Sequence, residues 1–221
     1  MPTSTVEDYL KQILLEQKGD PEAVVGMGRL ASALSLAPGT VTSMIKTLSE
    51  SGLVEYAPYT GVRLAPPGRR LALRVVRRHR LIELFLVRVL GIDWSEVHPE
   101  AERLEHAMSD GLVDRIDEML GRPAVDPHGD PIPTAGGEVV EPDHPSLLHC
   151  RQGVLVKVAR ITDQDPAFLQ LVEREGLVPG QSVTLASTDE AADTVLVEAG
   201  GGREVRLGFR AASKILVEEL A

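Results

Sequence analysis

The segment LSLAPGTVTSMIKTLSESGLVEY, residues 34–56, decides the fold of the first part of this chain. Pro38 and Gly39 interrupt a short apolar pattern, and a second apolar run then follows at helical spacing until Gly52 ends it. The apolar residues of this second run are Val41, Ile45 and Leu48. The segment therefore predicts a helix, a tight turn and a second helix.

The residues on either side of this segment complete the pattern of a winged helix-turn-helix. Two apolar patterns of helical spacing precede the turn, one at residues 6–14 and one at residues 27–34. Two short β-prone pieces, residues 53–56 and 62–64, follow the second helix on either side of a turn that contains Pro58. In this arrangement the second helix of the motif enters the major groove of DNA.

Small hydroxyl side chains and one lysine occupy the start of that second helix, and these residues suit close approach to phosphates and base edges. We expect double-stranded DNA to be contacted by Thr40, Thr42, Ser43, Lys46 and, in the wing, Arg63. An Arg-rich run at residues 69–80 adds positive charge. The alternative is that the four helical residues are simply the polar face of an amphipathic helix in a protein-binding module.

The charge of the chain changes sign along its length. Residues 1–90 contain 12 Lys and Arg residues against 8 Asp and Glu residues, whereas residues 91–150 contain 3 against 14. Residues 151–221 contain 8 against 11. The basic first part suits contact with phosphates even though the net charge of the whole chain is -10. The acidic middle would repel nucleic acid and is better suited to attracting a cation.

Bulk composition excludes several classes of protein. The 221 residues are enough for one to three compact units, and no stretch reaches the roughly 20 apolar residues of a membrane helix. The N-terminus lacks the basic-then-apolar order of a secretory signal, so we expect a cytoplasmic protein with no membrane partner. The single Cys150 argues against a disulfide scaffold and is interpreted as a small packed residue.

The rest of the chain divides into a helical region, a connector and a β-rich region. From Gly68 to about Leu120 the pattern is helical, with a break at GIDWSEVHPE, and its apolar residues are too numerous for one buried stripe. We therefore expect contact with a second subunit. Residues 121–150 are rich in Pro, Gly and Asp and are interpreted as a connector. A small β-barrel is predicted from the pieces VLVKVARIT, SVTLAS, TVLVEA, EVRLGF and SKILVEEL.

A group of acidic and histidine side chains lies in the stretch HPEAERLEHAM, residues 98–108. If this stretch is a helix, Glu102, Glu105 and His106 share one face and lie within reach of one cation. Two carboxylates and an imidazole are good ligands for a divalent metal. Further side chains that would extend this set or form a second site are His79, Glu83 and His98.

The same residues have less specific interpretations. Two acids and a histidine on a helix are also typical of a solvated acidic face, and His79 lies in the Arg-rich run. In that case the protein would be a winged-helix regulator that senses a small organic ligand. A metal-dependent hydrolase with Glu105 as base is disfavoured, because the sequence contains no H-E-x-x-H motif, nucleophile elbow or phosphate loop. We therefore expect no enzymatic activity.

Taken together, these motifs resemble the diphtheria toxin repressor and manganese transport regulator (DtxR/MntR) family of metal-dependent transcriptional regulators. The resemblance covers nearly the whole chain. Besides the helix-turn-helix and wing, it is carried by STVEDYLKQI (residues 4–13), RRHRLIELFL (77–86), GIDWSEVHPEAERLEHAMSD (91–110) and DPHGDPIP (126–133). The combination of VHPEAERLEHAMSD with GDPIP is far more specific than either piece.

The resemblance implies an α+β protein that binds palindromic operator DNA as a homodimer and represses metal-uptake genes. Its N-terminal winged helix-turn-helix DNA-binding domain would occupy residues 1–68, and a helical metal-binding and dimerisation domain residues 69–135. A linker at residues 136–150 would lead to a C-terminal SH3-like (FeoA-type) β-barrel at residues 151–221.

The resemblance also assigns metal ligands. The primary site of the family falls on Asp8, Glu102, Glu105 and His106. Its ancillary site falls on His79, Glu83 and His98. In three-domain members the barrel adds ligands, for which this chain offers Asp163, Gln164 or Asp165. Lys11 departs from the two-domain manganese regulators, which place a second carboxylate there.

The types of ligand indicate which metal is bound. Iron-type members of the family have Met and Cys where this chain has Asp8 and Glu102. Because hard oxygen ligands with one imidazole favour Mn(II), we expect manganese, with Fe(II) second and other divalent transition metals binding in vitro. The alternative function is an Fe(II)-dependent regulator of the same family. Metal would join the first helix to the dimerisation domain and so set the spacing of the two recognition helices.

Overall fold

The computed structural model of the chain describes residues 3–220. The chain folds into two compact units, each with its own apolar core. The first comprises the described residues of Met1–His79 together with Leu104–Asp110 and Pro133–Glu141. The second comprises Arg80–Arg103, Gly111–Ile132 and the described residues of Pro142–Ala221.

Three helices begin the first unit: α1 (Ser4–Glu16), α2 (Met27–Ala33) and α3 (Pro38–Glu50). Thr3 caps α1 by accepting a hydrogen bond from the backbone N–H of Val6 at 3.4 Å. Pro38 begins α3, where its missing N–H costs nothing. The apolar positions predicted from helical spacing form the core, which includes Leu10, Ile13, Leu30, Val41, Ile45 and Leu48.

A two-stranded antiparallel ribbon follows α3. Its strands are β1 (Val54–Ala57) and β2 (Gly61–Leu64). Gly61 has a φ of +140°, and a Cβ at this position would lie 2.4 Å from the carbonyl oxygen of Val25, so only glycine fits. The three helices and the ribbon confirm the predicted winged helix-turn-helix.

Three further helices follow the ribbon: α4 (Pro66–Leu90), α5 (His98–Leu104) and α6 (Asp110–Met119). The apolar residues of α4 that favoured contact with a second subunit are mostly buried within the chain itself, among them Val75, Leu81, Ile82, Leu84 and Leu86. Their number therefore does not locate a dimer surface. Large apolar side chains that remain exposed at the end of α4 and on α6 are Val89, Leu90, Leu112 and Met119.

Helix α5 is shorter than the sequence pattern predicted. It ends at Leu104, so Glu105 and His106 lie in the following turn and not on one helical face with Glu102. In this turn the N–H of Ala107 donates to the carbonyl oxygen of Leu104 at 3.0 Å, an i→i+3 bond that tightens the chain. The prediction of a shared helical face was wrong, because side chains from α1 and α4 hold Glu105 and His106.

A five-stranded antiparallel sheet forms the core of the second unit. Its strands are β3 (Leu155–Ile161), β4 (Ser182–Asp189), β5 (Thr194–Ala199), β6 (Arg203–Gly208) and β7 (Ile215–Glu219), in the spatial order β6-β5-β4-β3-β7. All five correspond to predicted β-prone pieces. The expected α+β class and SH3-like domain are confirmed, although in residues 3–220 the sheet is open, with β6 and β7 as its edges.

Two helices of this C-terminal domain, α7 (Pro166–Arg174) and α8 (Phe209–Ala212), were not predicted. Helix α7 has clear local signals, since Asp165 caps it by accepting a hydrogen bond from the N–H of Phe168 at 3.1 Å. Only β-prone pieces were considered in this region of the sequence, so these signals were passed over.

Part of the segment interpreted as a connector is packed. Residues 126–133 are largely buried, and Arg80 donates to the carbonyl oxygen of Pro131. Gly129 has a φ of +88°, and a Cβ there would lie 2.0 Å from the carbonyl oxygen of Ala159. Residues 126–132 are therefore a packed part of the second unit and do not form a solvated tether.

Cys150 is half-buried, and its Sγ atom donates to the carbonyl oxygen of Leu147 at 3.3 Å. Burial raises the pKa of this thiol, as expected for a packed and unreactive cysteine. Across residues 3–220, none of the helices is both long enough and apolar enough to cross a membrane.

Candidate metal centre and nucleic-acid interface

Three of the predicted metal ligands converge in the first unit. Asp8 lies on α1, and Glu105 and His106 lie in the turn after α5. The Nε2 atom of His106 lies 2.8 Å from Oδ1 of Asp8 and 3.3 Å from Oε1 of Glu105. One ligand atom from each residue lies within 4.8 Å of the other two, which suits a single divalent cation.

Glu7 positions the imidazole of His106, a role that the sequence analysis missed. Its Oε2 atom lies 2.7 Å from Nδ1 of His106, and its Oε1 atom accepts a hydrogen bond from Arg78 at 2.9 Å. With Nδ1 occupied, Nε2 is the ring nitrogen that faces Asp8 and Glu105. A carboxylate behind a ligating histidine fixes the orientation of the ring. The signal in the sequence was the position of Glu7 directly before Asp8.

Lys11 and His79 surround the carboxylate of Glu105. Lys11 donates to both oxygens of Glu105, at 3.0 and 2.8 Å, and Nδ1 of His79 lies 2.6 Å from Oε2. Glu105 is fully buried, and these contacts compensate its charge. His79 was predicted as an ancillary ligand, yet its Nδ1 atom contacts a member of the primary set.

The electrostatics of this cluster follow from its contacts. Burial by itself raises the pKa of the Glu105 carboxyl, but the hydrogen bond with His79 and the charge of Lys11 outweigh burial and lower this pKa. Burial lowers the pKa of His106, but its hydrogen bond with Glu7 and the surrounding carboxylates outweigh burial and raise it. A cation at Nε2 therefore competes with a proton, as is usual at histidine ligands.

Glu102, the fourth predicted ligand of the primary site, belongs to the second unit. Its side chain is 40% exposed, and its Oε1 atom lies 3.6 Å from Nε2 of His98. The Nδ1 atom of His98 in turn lies 3.1 Å from Oε1 of Glu83. Within the second unit these three predicted residues therefore form one continuous set of contacts.

A second cluster of potential ligands, which the sequence analysis missed, consists of Glu83, Asp126 and His128. All three side chains are buried, and their ligand atoms lie within 4.8 Å of one another. The Nδ1 atom of His128 lies 3.8 Å from Oε2 of Glu83 and 4.0 Å from Oδ1 of Asp126. The signal in the sequence was the DPHGDPIP stretch, which was interpreted only as a connector.

The hydrogen bonds of this second cluster direct ligand atoms into it. Nε2 of His128 lies 3.0 Å from the carbonyl oxygen of Trp94 and donates to it, which leaves Nδ1 as the ring nitrogen that faces Glu83 and Asp126. In residues 3–220, neither this Nδ1 atom nor Oδ2 of Asp126 has a hydrogen-bond partner. Because buried polar atoms are normally satisfied, the donor set fits a divalent cation.

The charges around Asp126 favour the same interpretation. Burial raises the pKa of Asp126 well above its ordinary value, and the charges of Asp130 and Glu83 raise it further, while Arg80 opposes them. Several acids thus share one enclosed space. A cation bound there would relieve their repulsion.

The three predicted ligands from the C-terminal domain have different surroundings. Asp163 forms an ion pair with Lys214, and the hydrogen bond from Lys214 is the main cause of the lowered pKa of the Asp163 carboxyl. Asp165 caps α7. Gln164 donates to Oδ2 of Asp130 at 3.0 Å, in the buried part of DPHGDPIP. Gln164 is therefore the residue whose described contacts reach toward the second cluster.

Four of the five predicted DNA contacts lie on α3. Thr40, Ser43 and Lys46 are exposed at helical spacing, whereas Thr42 is half-buried and its hydroxyl donates to the carbonyl oxygen of Pro38 at 2.8 Å. The exposed trio forms a polar surface at the start of the helix, where a recognition helix meets base edges.

Arg63, the fifth predicted contact, is held by two carboxylates. Its guanidinium lies 2.6 Å from Oε2 of Glu55 and 2.5 Å from Oε2 of Glu22. The hydrogen bond with Glu55 is the main cause of its raised pKa. The charge of Arg63 is therefore largely balanced within the protein.

The Arg-rich run of α4 serves the protein interior more than the sequence analysis predicted. Arg77 and Arg80 are buried, and Arg77 donates to a backbone carbonyl oxygen at 2.9 Å. Arg78 pairs with a carboxylate of α1. Arg70 and Arg74 are exposed. Only part of the run is therefore placed to meet phosphates.

Comparison with protein families matches three segments of the chain. The family model described as "Iron dependent repressor, N-terminal DNA binding domain" matches residues 1–62. The model described as "Iron dependent repressor, metal binding and dimerisation domain" matches residues 65–134. The FeoA domain matches residues 146–219.

Curated relatives include both iron and manganese regulators. The iron-dependent repressor IdeR of Mycobacterium tuberculosis (strain ATCC 25618 / H37Rv) is 32% identical over 229 residues, which cover 98% of this chain and 97% of that protein. The HTH-type transcriptional regulator MntR of Lysinibacillus sphaericus (strain C3-41) is 37% identical over 122 residues, which cover 54% of this chain and 84% of that protein.

Solved structures match along almost the full chain. A manganese-dependent transcriptional repressor in complex with manganese has a TM-score of 0.87 and 42% identity, covering 97% of this chain and 100% of its own. ScaR with bound Zn²⁺ has a TM-score of 0.78 and 32% identity, covering 97% and 99%. With its domain composition, fold and relatives in agreement, the chain belongs to the DtxR/MntR family of metal-dependent transcriptional repressors.

Proposed function

We propose that this protein is a Mn(II)-activated repressor of metal-uptake genes that binds palindromic operator DNA as a homodimer. The convergence of Asp8, Glu105 and His106 carries this proposal, because it brings donors from helix α1 and from the turn after α5 to one point. Two carboxylates and one imidazole form a hard, oxygen-rich donor set, which favours Mn(II) over softer ions. The resemblance to the family adds Glu102 as the fourth ligand.

The residues of this centre account for regulation as follows. Asp8 is 43% exposed, and its carboxylate lies 2.8 Å from the imidazole of His106. A bound ion supplies a double positive charge that neutralises the converging carboxylates. Asp8, Glu105 and His106 would hold the ion together, which would fix α1 and with it the packed helices α2 and α3. In a dimer this sets the spacing of two recognition helices to half-sites about one DNA turn apart.

The second cluster, Glu83, Asp126 and His128, is a second metal site in this proposal. It shares Glu83 with the predicted ancillary trio, which stays a prediction, and adds Asp126 and His128 from the DPHGDPIP stretch. Its buried position and the carbonyl oxygen bonded to His128 suit a site that stabilises the protein rather than one that exchanges metal rapidly.

Homodimerisation and cytoplasmic location are part of the proposal. The exposed apolar side chains Val89, Leu90, Leu112 and Met119 are the surface we assign to the second subunit. Binding to chromosomal operators requires a protein that acts in the cytoplasm. The domain bounds proposed are residues 1–68, 69–135 and 151–221, joined by residues 136–150, and limited proteolysis would test them.

An Fe(II)-activated repressor is the second candidate. The observation in its favour is that the relatives matching 98% of this chain include the iron-dependent repressor IdeR. Mn(II) is preferred because Asp8 supplies an oxygen ligand in place of the sulfur ligand expected of iron-type members. The two candidates differ in metal and share the same DNA-binding mechanism.

Retardation of a palindromic promoter fragment at controlled free Mn(II), Fe(II), Zn(II) and Co(II) tests the proposal. We expect Mn(II) to drive operator binding when each metal is held at the free concentration that the cell maintains. We also expect His106→Ala and Glu102→Ala to abolish activation without loss of the fold. Activation by Fe(II) alone would favour the second candidate. Unchanged metal response in both variants would remove the site assignment.

A further inference from the structure

Lys11 lies inside the proposed metal centre, although an ammonium group has no lone pair with which to bind a metal. It lies three residues after Asp8 on α1, and its side chain is 9% exposed. Its Nζ atom lies 2.8 and 3.0 Å from the two oxygens of Glu105 and 3.1 Å from Nδ1 of His79. A buried cation thus already bonds a carboxylate that the proposed function uses as a metal ligand.

We propose that Lys11 is a built-in competitor for Glu105 that sets the Mn(II) concentration at which the protein responds. This inference rests on the proposed function, because it concerns the affinity of the same centre. It assigns a role to a residue that contributes no ligand.

The two oxygens of Glu105 have different surroundings. Oε2 lies between Lys11 and His79, whereas Oε1 accepts from Lys11 and lies 3.3 Å from Nε2 of His106. Asp8, His106 and Glu105 would hold the cation, which would then compete with Lys11 for the Glu105 carboxylate, because Oε1 already accepts a 3.0 Å hydrogen bond from Lys11. The ammonium group then lies beside a divalent ion, so repulsion between like charges opposes binding.

In the metal-free protein Lys11 has the opposite effect. Glu105 is fully buried, and a buried carboxylate without a partner strongly destabilises a fold. Lys11 supplies that partner and holds Glu105 in place before metal arrives. The same contact therefore stabilises the metal-free state and raises the metal concentration that activates the protein.

Replacing Lys11 by methionine tests this inference, because methionine keeps most of the length and removes the charge. We expect the Mn(II) affinity of the centre to rise about tenfold or more, and the melting temperature without metal to fall. Lys11→Gln keeps a donor for Glu105 and should also raise the Mn(II) affinity. It serves as the test variant if Lys11→Met folds poorly. Lys11→Arg keeps the charge and should bind Mn(II) like the native protein.

Lys18→Met is the matched control, because Lys18 is exposed beyond the end of α1 and this substitution removes the same charge. Binding is measured on the full chain by electron paramagnetic resonance of free Mn(II), and the component lost in His106→Ala is assigned to this centre. Folded neutral variants that bind Mn(II) no more tightly than the native protein would overturn the inference about Lys11 alone. If His106→Ala removes no Mn(II) binding, the proposed function fails and this inference fails with it.

Discussion

Replacing Glu7 with alanine should weaken Mn(II) binding at the centre formed by Asp8, Glu105 and His106 by roughly 10- to 100-fold. Glu7 is only 8% exposed, and its Oε2 atom lies 2.7 Å from Nδ1 of His106. Loss of one charge-assisted hydrogen bond costs about 1.5–3 kcal/mol. Because about 1.4 kcal/mol corresponds to a tenfold change in affinity, the cost of this hydrogen bond agrees with the expected weakening of Mn(II) binding.

The fold should survive this substitution. Arg78, the second partner of Glu7, also donates to the carbonyl oxygen of Glu105 at 3.0 Å and so keeps one contact when the carboxylate is removed. We expect the Glu7→Ala protein to give an unchanged far-ultraviolet circular dichroism spectrum. Its loss should be one of metal affinity, because His106 becomes free to rotate away from Asp8 and Glu105.

Calorimetric titration of Mn(II) into the native protein and two Glu7 variants measures this effect. Glu7→Gln keeps a hydrogen-bond acceptor for His106 but loses the charge, so its affinity should fall by less than that of Glu7→Ala. Glu16→Gln is the matched control, because Glu16 lies on the same helix and pairs with Arg29. A folded Glu7→Ala protein with native Mn(II) affinity would refute the assignment of Glu7 as the residue that orients His106.

Three further predictions concern packing, ionisation and DNA contact. Gly129→Ala should lower the free energy of unfolding in denaturant by about 3 kcal/mol or more, because a Cβ would lie 2.0 Å from a carbonyl oxygen at a φ of +88°. Asp163→Asn should lower it by about 0.5 kcal/mol at pH 7. Because Lys214 lowers the pKa of Asp163 in the folded state, this difference should be present above about pH 4 and vanish as pH falls through the folded-state pKa. Lys46→Ala should weaken operator binding and reduce its salt slope by about one, whereas Arg63→Ala should do less because two carboxylates already hold its charge.

Each of these predictions has a control or a contrary outcome. Gly176 has a φ of +72° with open space around it. Gly176→Ala should therefore lower the free energy of unfolding only by the backbone strain of about 1 kcal/mol. An Asp163→Asn effect of equal size at pH 7 and pH 3 would contradict the role of the Lys214 ion pair. Equal salt slopes for the native protein and Lys46→Ala would show that Lys46 contacts no phosphate.

The elements that sequence predicted well are those fixed by local signals. The turn at Pro38 and Gly39, the apolar spacing of α3 and the alternation of the C-terminal strands depend on residues a few positions apart. The end of α5 could not be predicted in this way. The helix ends directly before Glu105, whose carboxylate is held by Lys11, a residue 94 positions away in the sequence. Long-range contacts of this kind leave no periodic pattern.

The same distinction applies to the metal centre. Glu105 and His106 were predicted from the HPEAERLEHAM stretch and Asp8 from the family resemblance, and the structure brings the three together. Glu7 lies 99 positions from the imidazole that it orients, so nothing near either residue indicates the pair.

The second cluster was missed for a related reason. Asp126 and His128 stand in a stretch whose Pro and Gly content favours a connector, and only the packing around Gly129 shows that they are buried. Composition alone cannot distinguish an exposed loop from one that is enclosed by its own domain.

The most direct test of the central claim is the affinity of the native protein for a fluorescently labelled palindromic operator, measured by anisotropy in Mn(II) and in chelator. If metal at the centre couples α1 to the turn after α5, Mn(II) should tighten operator binding by roughly 5- to 150-fold, the range typical of allosteric coupling. Equal operator affinity in Mn(II) and in chelator would contradict the account.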